Sequence, residues 1–471
     1  MGKKPRSERF GGGGKKGSSS GADPDPDLAD DYTVAGSEAG GDSQWGGSDS
    51  EGEAGAGAGG FEEGEDGEPP KYLLELRGAL AAVADRFDNE KASRKREQGL
   101  RRAFKAVAMC GGTDEARAAV DAQGEGLVKA VCANVKNPAY ATEQYAACRI
   151  LEAIAVVLGP SRDDYFDSVS PVLARVLGSA STVPLVKCGA LRAACMAAFM
   201  CSTDMSSTTE LVRVCTGLAG EEFRGSPCTP ALRSTALDCW GLLASTLPDA
   251  YISDGPCSEE ILPLIKLGLD SRDGDLRASA GCAVALIHEA RLNLGVGDDE
   301  AENTTDKRYR RGSWDGTEHE VLIDEVKQRL DELAQESGHH MSKKAKKAQR
   351  ATFREFCDTV TNDNPPESTV SYVGGVLELN TWREIKQLEC IRACLQSGFQ
   401  GQMLRNEHLH GIFGADIDVL TDQSGMNATE KRMFKSKNSE ASKKADKGRK
   451  DGRSKKQGMN DEFLHQNGYA D

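Results

Sequence analysis

The chain has 471 residues, of which 38% are hydrophobic and 52 are glycine, with a formal net charge of −15. That length allows a sizeable core, but with this much glycine and this little apolar content some of the chain cannot be packed. Residues 17–70 hold 15 acidic residues and no Lys or Arg, the remainder is balanced, and the C-terminal region is strongly basic, so the overall acidity does not exclude a polyanionic partner.

The fourteen cysteines lie between Cys110 and Cys394, mostly within predicted helices and without a CxxC pair. They read as buried reduced thiols, which favours the cytosol or nucleus over secretion. The N-terminus lacks the apolar stretch of a secretory signal, and no run of about 18 uncharged apolar residues suggests a membrane span. Met1-Gly2 opens like a myristoylation site, but Arg6 stands where Ser or Thr is needed.

In chain order, residues 1–70 read as a disordered tail, a basic arm (Lys3 to Lys16) followed by an acidic, Gly-rich segment. Gly11 to Lys15 lacks the spacing and the preceding strand of a phosphate loop. Tyr32, Trp45 and Phe61 are the aromatics of the acidic segment, which is either a solvating tail or a short docking element around Trp45. Pro69-Pro70 ends it. Leu73, Leu76, Leu80 and Val83 then share a helical face, and a second helix over about 91–109 carries Leu100, Phe104 and Val107, a degenerate pair as expected of a solenoid cap.

Clearer helix pairs begin at about Gly124, and from about Gln144 to Arg291 one helical pattern recurs four times, anchored on Gln144, Lys187, Arg233 and Arg277. Three positions beyond each anchor stands an alanine: Ala147, Ala190, Ala236 and Ala280. Apolar or small residues follow at offsets of seven and ten, the spacing of one helix face. A step of roughly 40–47 residues is that of armadillo and HEAT-type repeats, with the small residue allowing close helix packing. A shorter helix precedes each anchor helix, and Pro- or Gly-rich breaks separate them.

Residues 295–316 read as a polar loop, followed by a helix through Val321, Val326, Leu330 and Leu333. The cluster Lys343, Lys344, Lys346, Lys347 and Arg350 opens another helix that runs into Phe353 and Phe356. Val370 to Leu379, with Gly374-Gly375, allows a short hairpin or an extended segment. Trp382 to Leu395 is helical, and Phe399 to Phe413 is the last ordered element. The tail beyond carries twelve basic residues between Lys431 and Lys456. Opposite charges would permit the acidic tail to fold back onto it.

No catalytic or metal-binding set emerges among the seven histidines and the carboxylates. His288 lies on an apolar helix side and reads as a satisfied core or groove residue. His408 and His410 point to different sides of a helix, and Asp273 and its neighbours suit N-capping better than calcium binding. What remains is electrostatics: the 343–350 cluster and the tail both suit nucleic-acid phosphates, although lysine runs of this kind also serve as solubilising or import tails.

From Lys346 to Phe356 the chain resembles the basic stretch of the interferon-related developmental regulator family, which closes on a Phe-Arg pair, here Phe353-Arg354. Leu379 and Trp382, Gly398-Phe399, Leu404, Asn406-Glu407, Leu409 and Phe413 are similar to that family's C-terminal signature. After Phe413 the usual Pro-containing segment is replaced by Gly414-Ala415-Asp416-Ile417. The resemblance spans about Tyr72 to Lys450. It implies an armadillo-like body with a smaller C-terminal domain and no enzymatic activity, and the residues themselves suggest no cofactor or metal. It also implies one of two roles: binding inactive ribosomes and blocking translation, or nuclear transcriptional co-regulation with histone deacetylase complexes.

Together these readings predict an all-α chain: an armadillo/HEAT-like solenoid over 71–361, a small mainly helical domain over 370–425, and tails at 1–70 and 426–471. The expected partner is the ribosome and its rRNA, contacted by Lys343, Lys344, Lys346, Lys347 and Arg350 and by Lys431, Arg432, Lys435 and Lys437. The alternative partner is a chromatin-modifying co-repressor complex, bound through the solenoid groove. No membrane or small-molecule substrate is expected, and the location is cytoplasmic, with the nucleus as a second site.

Overall fold

The computed structural model describes residues 71–89, 93–136, 141–253, 256–294, 314, 317–335, 343–372 and 375–414. Both tails, including Lys431, Arg432, Lys435 and Lys437, and most of the 295–316 loop lie outside the described residues.

The described chain is all-α apart from two short hairpins. Its helices come in packed pairs: α1 (Lys71–Asn89) with α2 (Ser93–Met109), α3 (Asp114–Lys136) with α4 (Ala141–Leu158), and α5 (Asp163–Gly178) with α6 (Pro184–Cys201). Next come α7 (Met205–Ala219) with α8 (Pro230–Ala244), a short α9 (Asp249–Ser253), α10 (Pro256–Leu269) with α11 (Gly274–Leu294), and α12 (Glu320–Gln335) with α13 (Lys343–Asn362). The second helices of the pairs pack in sequence, α2 on α4, then α6, α8, α11 and α13. We call this row the anchor layer. The first helices form a second row, with α1, α3 and α5 packed together at one end and α7, α10 and α12 at the other.

The four alanines of the recurring pattern lie in helices of the anchor layer. Ala147, Ala190, Ala236 and Ala280 are fully buried, and a larger side chain there would hold neighbouring helices apart. The polar anchors have a separate task. Gln144 Nε2 donates to Val135 O (2.7 Å), near the end of α3, and Arg233 Nε donates to Ala219 O (2.9 Å), the last residue of α7. Arg277 Nη1 reaches Ser271 O and Arg272 O (3.0 and 3.2 Å), just past α10. Gln144, Arg233 and Arg277 thus each supply a donor to carbonyls at or just past the end of the preceding helix, where intrahelical partners run out.

The helix starts follow from local chemistry. Pro184 and Pro230 open α6 and α8, where the missing N–H costs nothing, and Thr229 caps α8 by accepting from Leu232 N. Asp273 Oδ1 accepts from Leu276 N (2.9 Å) at the start of α11, the N-capping read from the sequence.

Some features differ from the sequence reading. Helix α3 runs straight through Gly124 and Gly126; packing against α1, α4 and α5 outweighs the low helix propensity of glycine. A hairpin of β1 (Glu222–Phe223) and β2 (Ser226–Pro227) joins α7 to α8, with Arg224 and Gly225 both at positive φ in its tight turn. Helix α6 is long and apolar enough to cross a bilayer, but 78% of it is buried within the protein, where it packs on α4, α5 and α8. All fourteen cysteines are free, eleven of them buried.

After α13 the antiparallel hairpin β3 (Ser368–Tyr372) and β4 (Gly375–Leu379) forms where the alternating stretch allowed one. The chain then continues through α14 (Trp382–Leu395), a 3-10 turn, α15 (Phe399–Arg405) and α16 (Glu407–Phe413).

Candidate functional site

The basic cluster begins α13. Lys347 and Arg354 are exposed and Arg350 is half-buried. With helix spacing, Lys343, Lys347, Arg350 and Arg354 step by four, three and four and fall on one stripe, whereas Lys344 and Lys346 fall off it. The opposite side of α13 is apolar: Phe353, Phe356 and Val360 are buried. Arg354 therefore belongs with the cations, while its neighbour Phe353 belongs with the core.

Several residues of the C-terminal signature are used inside the protein, among them Trp382, Gly398, Phe399, Asn406 and Leu409. Helices α14 to α16 form a strap that runs back along the chain's own anchor layer: α14 packs on α11, α8 and α4, and the turn and α15 pack on α2. Its first residue, Trp382, is buried against Phe356 (ring centroids 5.1 Å apart), which in turn lies edge-on to Phe353 at 5.7 Å. Trp382 Nε1 donates to Thr359 Oγ1 (3.0 Å), so the indole N–H is satisfied in the core. Gly281, in the middle of α11, makes room for this cluster, since a Cβ there would lie 2.4 Å from the Phe356 ring.

At the other end, Gly398 lets the chain approach α2 closely: a Cβ would come within 2.4 Å of Ala108 O. Phe399 and Leu409 are buried, while Leu404 and Phe413 are half-buried and Glu407 is exposed. Asn406 is fully buried, caps α16 by accepting from His408 N (3.1 Å), and donates to Val156 O (3.0 Å) of α4. Gln402 Nε2 donates to Ala108 O (3.1 Å).

Charged groups from successive anchor helices hold α14. From α11, Glu289 accepts from the backbone N–H of Trp382 (2.5 Å) and Arg383 (3.4 Å), at the positive end of the α14 dipole. Burial pushes the Glu289 carboxyl up to about 7 against the opposing pull of these donors. From α8, Asp238 Oδ1 meets the buried Lys386 Nζ at 2.8 Å, and Glu389 meets the same ammonium at 2.8 Å. From α4, Arg149 Nη2 donates to Ala393 O and Cys394 O (2.9 and 2.8 Å) at the negative end of α14. Arg149 Nη1 donates to the buried Glu152 carboxylate at 2.5 Å. Arg383 also pairs with Asp249 of α9.

His288 is buried and satisfied: its Nδ1 accepts from Trp314 Nε1 (3.2 Å), and its Nε2 faces Asp363 Oδ1 at 2.8 Å. Burial lowers its pKa. This places it in a structural contact with the 295–316 segment, as a satisfied core histidine. His408 faces Arg117 Nη1 at 2.8 Å, and His410 faces Met403 O at 2.5 Å. Among the described residues, no group of three or more His, Cys, Asp or Glu is arranged to hold a metal ion.

Sequence reasoning missed the clamp formed by Glu289, Asp238 and Arg149. One signal was available: Arg149 and Glu152 stand three apart within the otherwise apolar run of α4, where an isolated charge would be costly.

Fold and strap together define a helical protein built from stacked pairs and closed by its own C-terminal segment. The family model for Interferon-related developmental regulator (IFRD) matches residues 45–361, and the chain belongs to that family. The match includes Phe353, Arg354 and the four alanines, and it ends before Trp382. The chain is similar to mouse Interferon-related developmental regulator 2, with 25% identity over 302 residues, covering 62% of this chain and 64% of the relative. It is similar to rat Interferon-related developmental regulator 1 at 23% over 295 residues, covering 59% and 60%. The match thus spans less than two thirds of each relative. Among solved structures, a chain from the computational design of self-assembling cyclic homooligomers aligns with 62% of this chain and 95% of its own length, at 13% identity and a TM-score of 0.16.

Proposed function

We propose that this chain is a non-enzymatic ribosome- and RNA-binding factor that represses translation by occluding inactive ribosomes. The stacked pairs are read as an armadillo/HEAT-like solenoid that serves as a rigid support. Lys343, Lys347, Arg350 and Arg354 contact phosphates along one stripe, and the tail around Lys431, Arg432, Lys435 and Lys437 lies along RNA. Inhibition is steric and needs no bond made or broken. It places the protein in the cytoplasm, where idle ribosomes are found.

The observation that carries this reading is the division of labour in α13. Phe353 and Phe356 anchor it in the core, and its outward stripe is cationic, with Lys347 and Arg354 exposed. The alternative, a nuclear co-regulator scaffold that takes peptides along the anchor layer, is disfavoured because α14 covers α4, α8 and α11 of that layer.

The test is fluorescence anisotropy with a single-stranded RNA, comparing the wild type with Lys343→Glu/Lys347→Glu/Arg354→Glu over a salt series. Loss of three phosphate contacts reduces the slope of log K against log salt by about 2. Unchanged affinity and slope, with α13 folded, would remove this surface from the function.

A further inference from the structure

The connection between α7 and α8 departs from the other pairs. It spans ten residues, where the connections of α3 to α4, α5 to α6 and α10 to α11 span four or five. The extra length makes the β1–β2 hairpin, with Phe223 paired to Ser226 and only Arg224 and Gly225 in the loop. Arg224 stands at φ 50° and Gly225 at φ 76°. A two-residue loop with both residues at positive φ favours Asn, Asp or Gly at its first position, and a longer side chain there is strained. Arginine is thus a poor choice for the turn itself, and its guanidinium has to be accounted for elsewhere.

That guanidinium lies over the Phe223 ring, 5.1 Å from its centroid, and passes Gly178 at the end of α5, where a Cβ would come within 2.8 Å of it. The ring in turn rests on Gly217 of α7, where a Cβ would lie 2.8 Å away. Between the hairpin and α7 is an open cleft of about 540 Å³, lined by Arg224 and, from α7, by Arg213. Both arginines are exposed, and among the described residues neither guanidinium has a carboxylate partner. The cleft belongs to the row of first helices, whereas the strap packs on the anchor layer.

The other groups of the cleft narrow the ligand. Ser206 and Ser207 donate their hydroxyl protons to Asp204 (2.7 and 2.6 Å), and Thr209 donates to Ser206 O (2.8 Å). Toward the cleft these three oxygens therefore offer lone pairs only. Glu210 adds a carboxylate to the same wall. A phosphodiester strand would set its oxygens against these acceptors and be repelled by Glu210. A peptide suits every group. Its backbone N–H groups donate to the hydroxyl oxygens and to Glu210, and acidic side chains take the two guanidiniums, as arginine clusters do in acidic-motif recognition.

We propose that the cleft between α7 and the β1–β2 hairpin docks an acidic peptide segment of a partner protein, with Arg213 and Arg224 holding its carboxylates. The site is separate from the cationic stripe of α13 and stands whether or not that stripe binds RNA.

The test uses the full chain and a twelve-residue peptide of repeating Glu-Asp-Gly that carries a benzophenone. Photo-cross-links are mapped by mass spectrometry, and the half-saturating peptide concentration is read only from those within residues 206–226, which separates this cleft from the basic tail. Wild type is compared with Arg213→Gln, Arg224→Asn and the double variant at low salt. Each single variant should raise the half-saturating concentration about tenfold, the worth of one charge-assisted hydrogen bond. Asn fits the turn, so Arg224→Asn should melt no lower than the wild type while it loses binding. Absence of cross-links within 206–226 in the wild type, or a double variant that saturates at the wild-type concentration, overturns the proposal. Suppression of these cross-links by poly(U) at a lower concentration than by unlabelled peptide makes the cleft a nucleic-acid site and overturns the peptide assignment.

Discussion

Replacing Arg149 with Met tests whether the strap is held by charge at the C-terminal end of α14. The guanidinium is almost wholly buried, with 6% of its side-chain surface exposed, and its partner Glu152 shows 2%. It serves Glu152 and the carbonyls of Ala393 and Cys394 at once, and it lies 4.8 Å from the Phe104 ring. Arg149→Met leaves a buried carboxylate without its cation, which costs about 3–5 kcal/mol. For a protein of this size that is a fall in Tm of roughly 10 °C. Arg149→Met/Glu152→Leu removes the stranded charge and leaves only the two α14 carbonyls unserved, at about 1–3 kcal/mol. The order of the two variants is therefore the informative result, with the double variant more stable than the single one. Urea unfolding measures both, and amide exchange over α14 and α15 reports whether the strap loosens first. A single variant that loses less than about 1 kcal/mol, or a double variant no better than the single, would falsify the clamp.

Two further outcomes follow from the packing. Ala236→Leu should lose about 1–3 kcal/mol by overpacking the fully buried contact in α8, read by thermal melting; an unchanged melt contradicts the alanine pattern as a packing device. Burial lifts Glu289 to about 7 and Glu355 to about 7. The folded state therefore holds these protons more tightly than the unfolded chain does. Their stabilising effect is complete below about pH 4.5 and is lost as the pH rises through about 7, at most about 3 kcal/mol for Glu289. Glu289→Gln should flatten part of this decline in melts between pH 5 and 8, and an unaltered slope would show that Glu289 is not its source.

The paired helices were legible because their signal is local. Offsets of three, seven and ten place Ala147, Leu151 and Ile154 on one face of α4 whatever lies opposite. The same holds for α13, whose start at Lys343 follows from the apolar spacing of Phe353, Phe356 and Val360. Trp382, Gly398, Phe399 and Asn406 were also visible, but as a family signature without a task. Their task depends on partners far away in the chain: Arg149 reaches Cys394 across 245 positions, and Gln402 reaches Ala108 across 294. Helical periodicity carries no information about such pairs. The polar anchors were treated as markers of the repeat, and their hydrogen bonds to the preceding helix ends became legible only once the helix ends were placed.

Ribosome binding through phosphate contacts of the basic surfaces is the core of the proposed function. Sedimentation with idle ribosomes, at low and high salt, tests it most directly, using the wild type and Lys431→Glu/Arg432→Glu/Lys435→Glu/Lys437→Glu. The wild type should pellet with ribosomes at low salt and be released as salt rises, while the variant should stay largely in the supernatant throughout. Equal co-sedimentation of the two proteins at every salt, or no co-sedimentation of either, would contradict it.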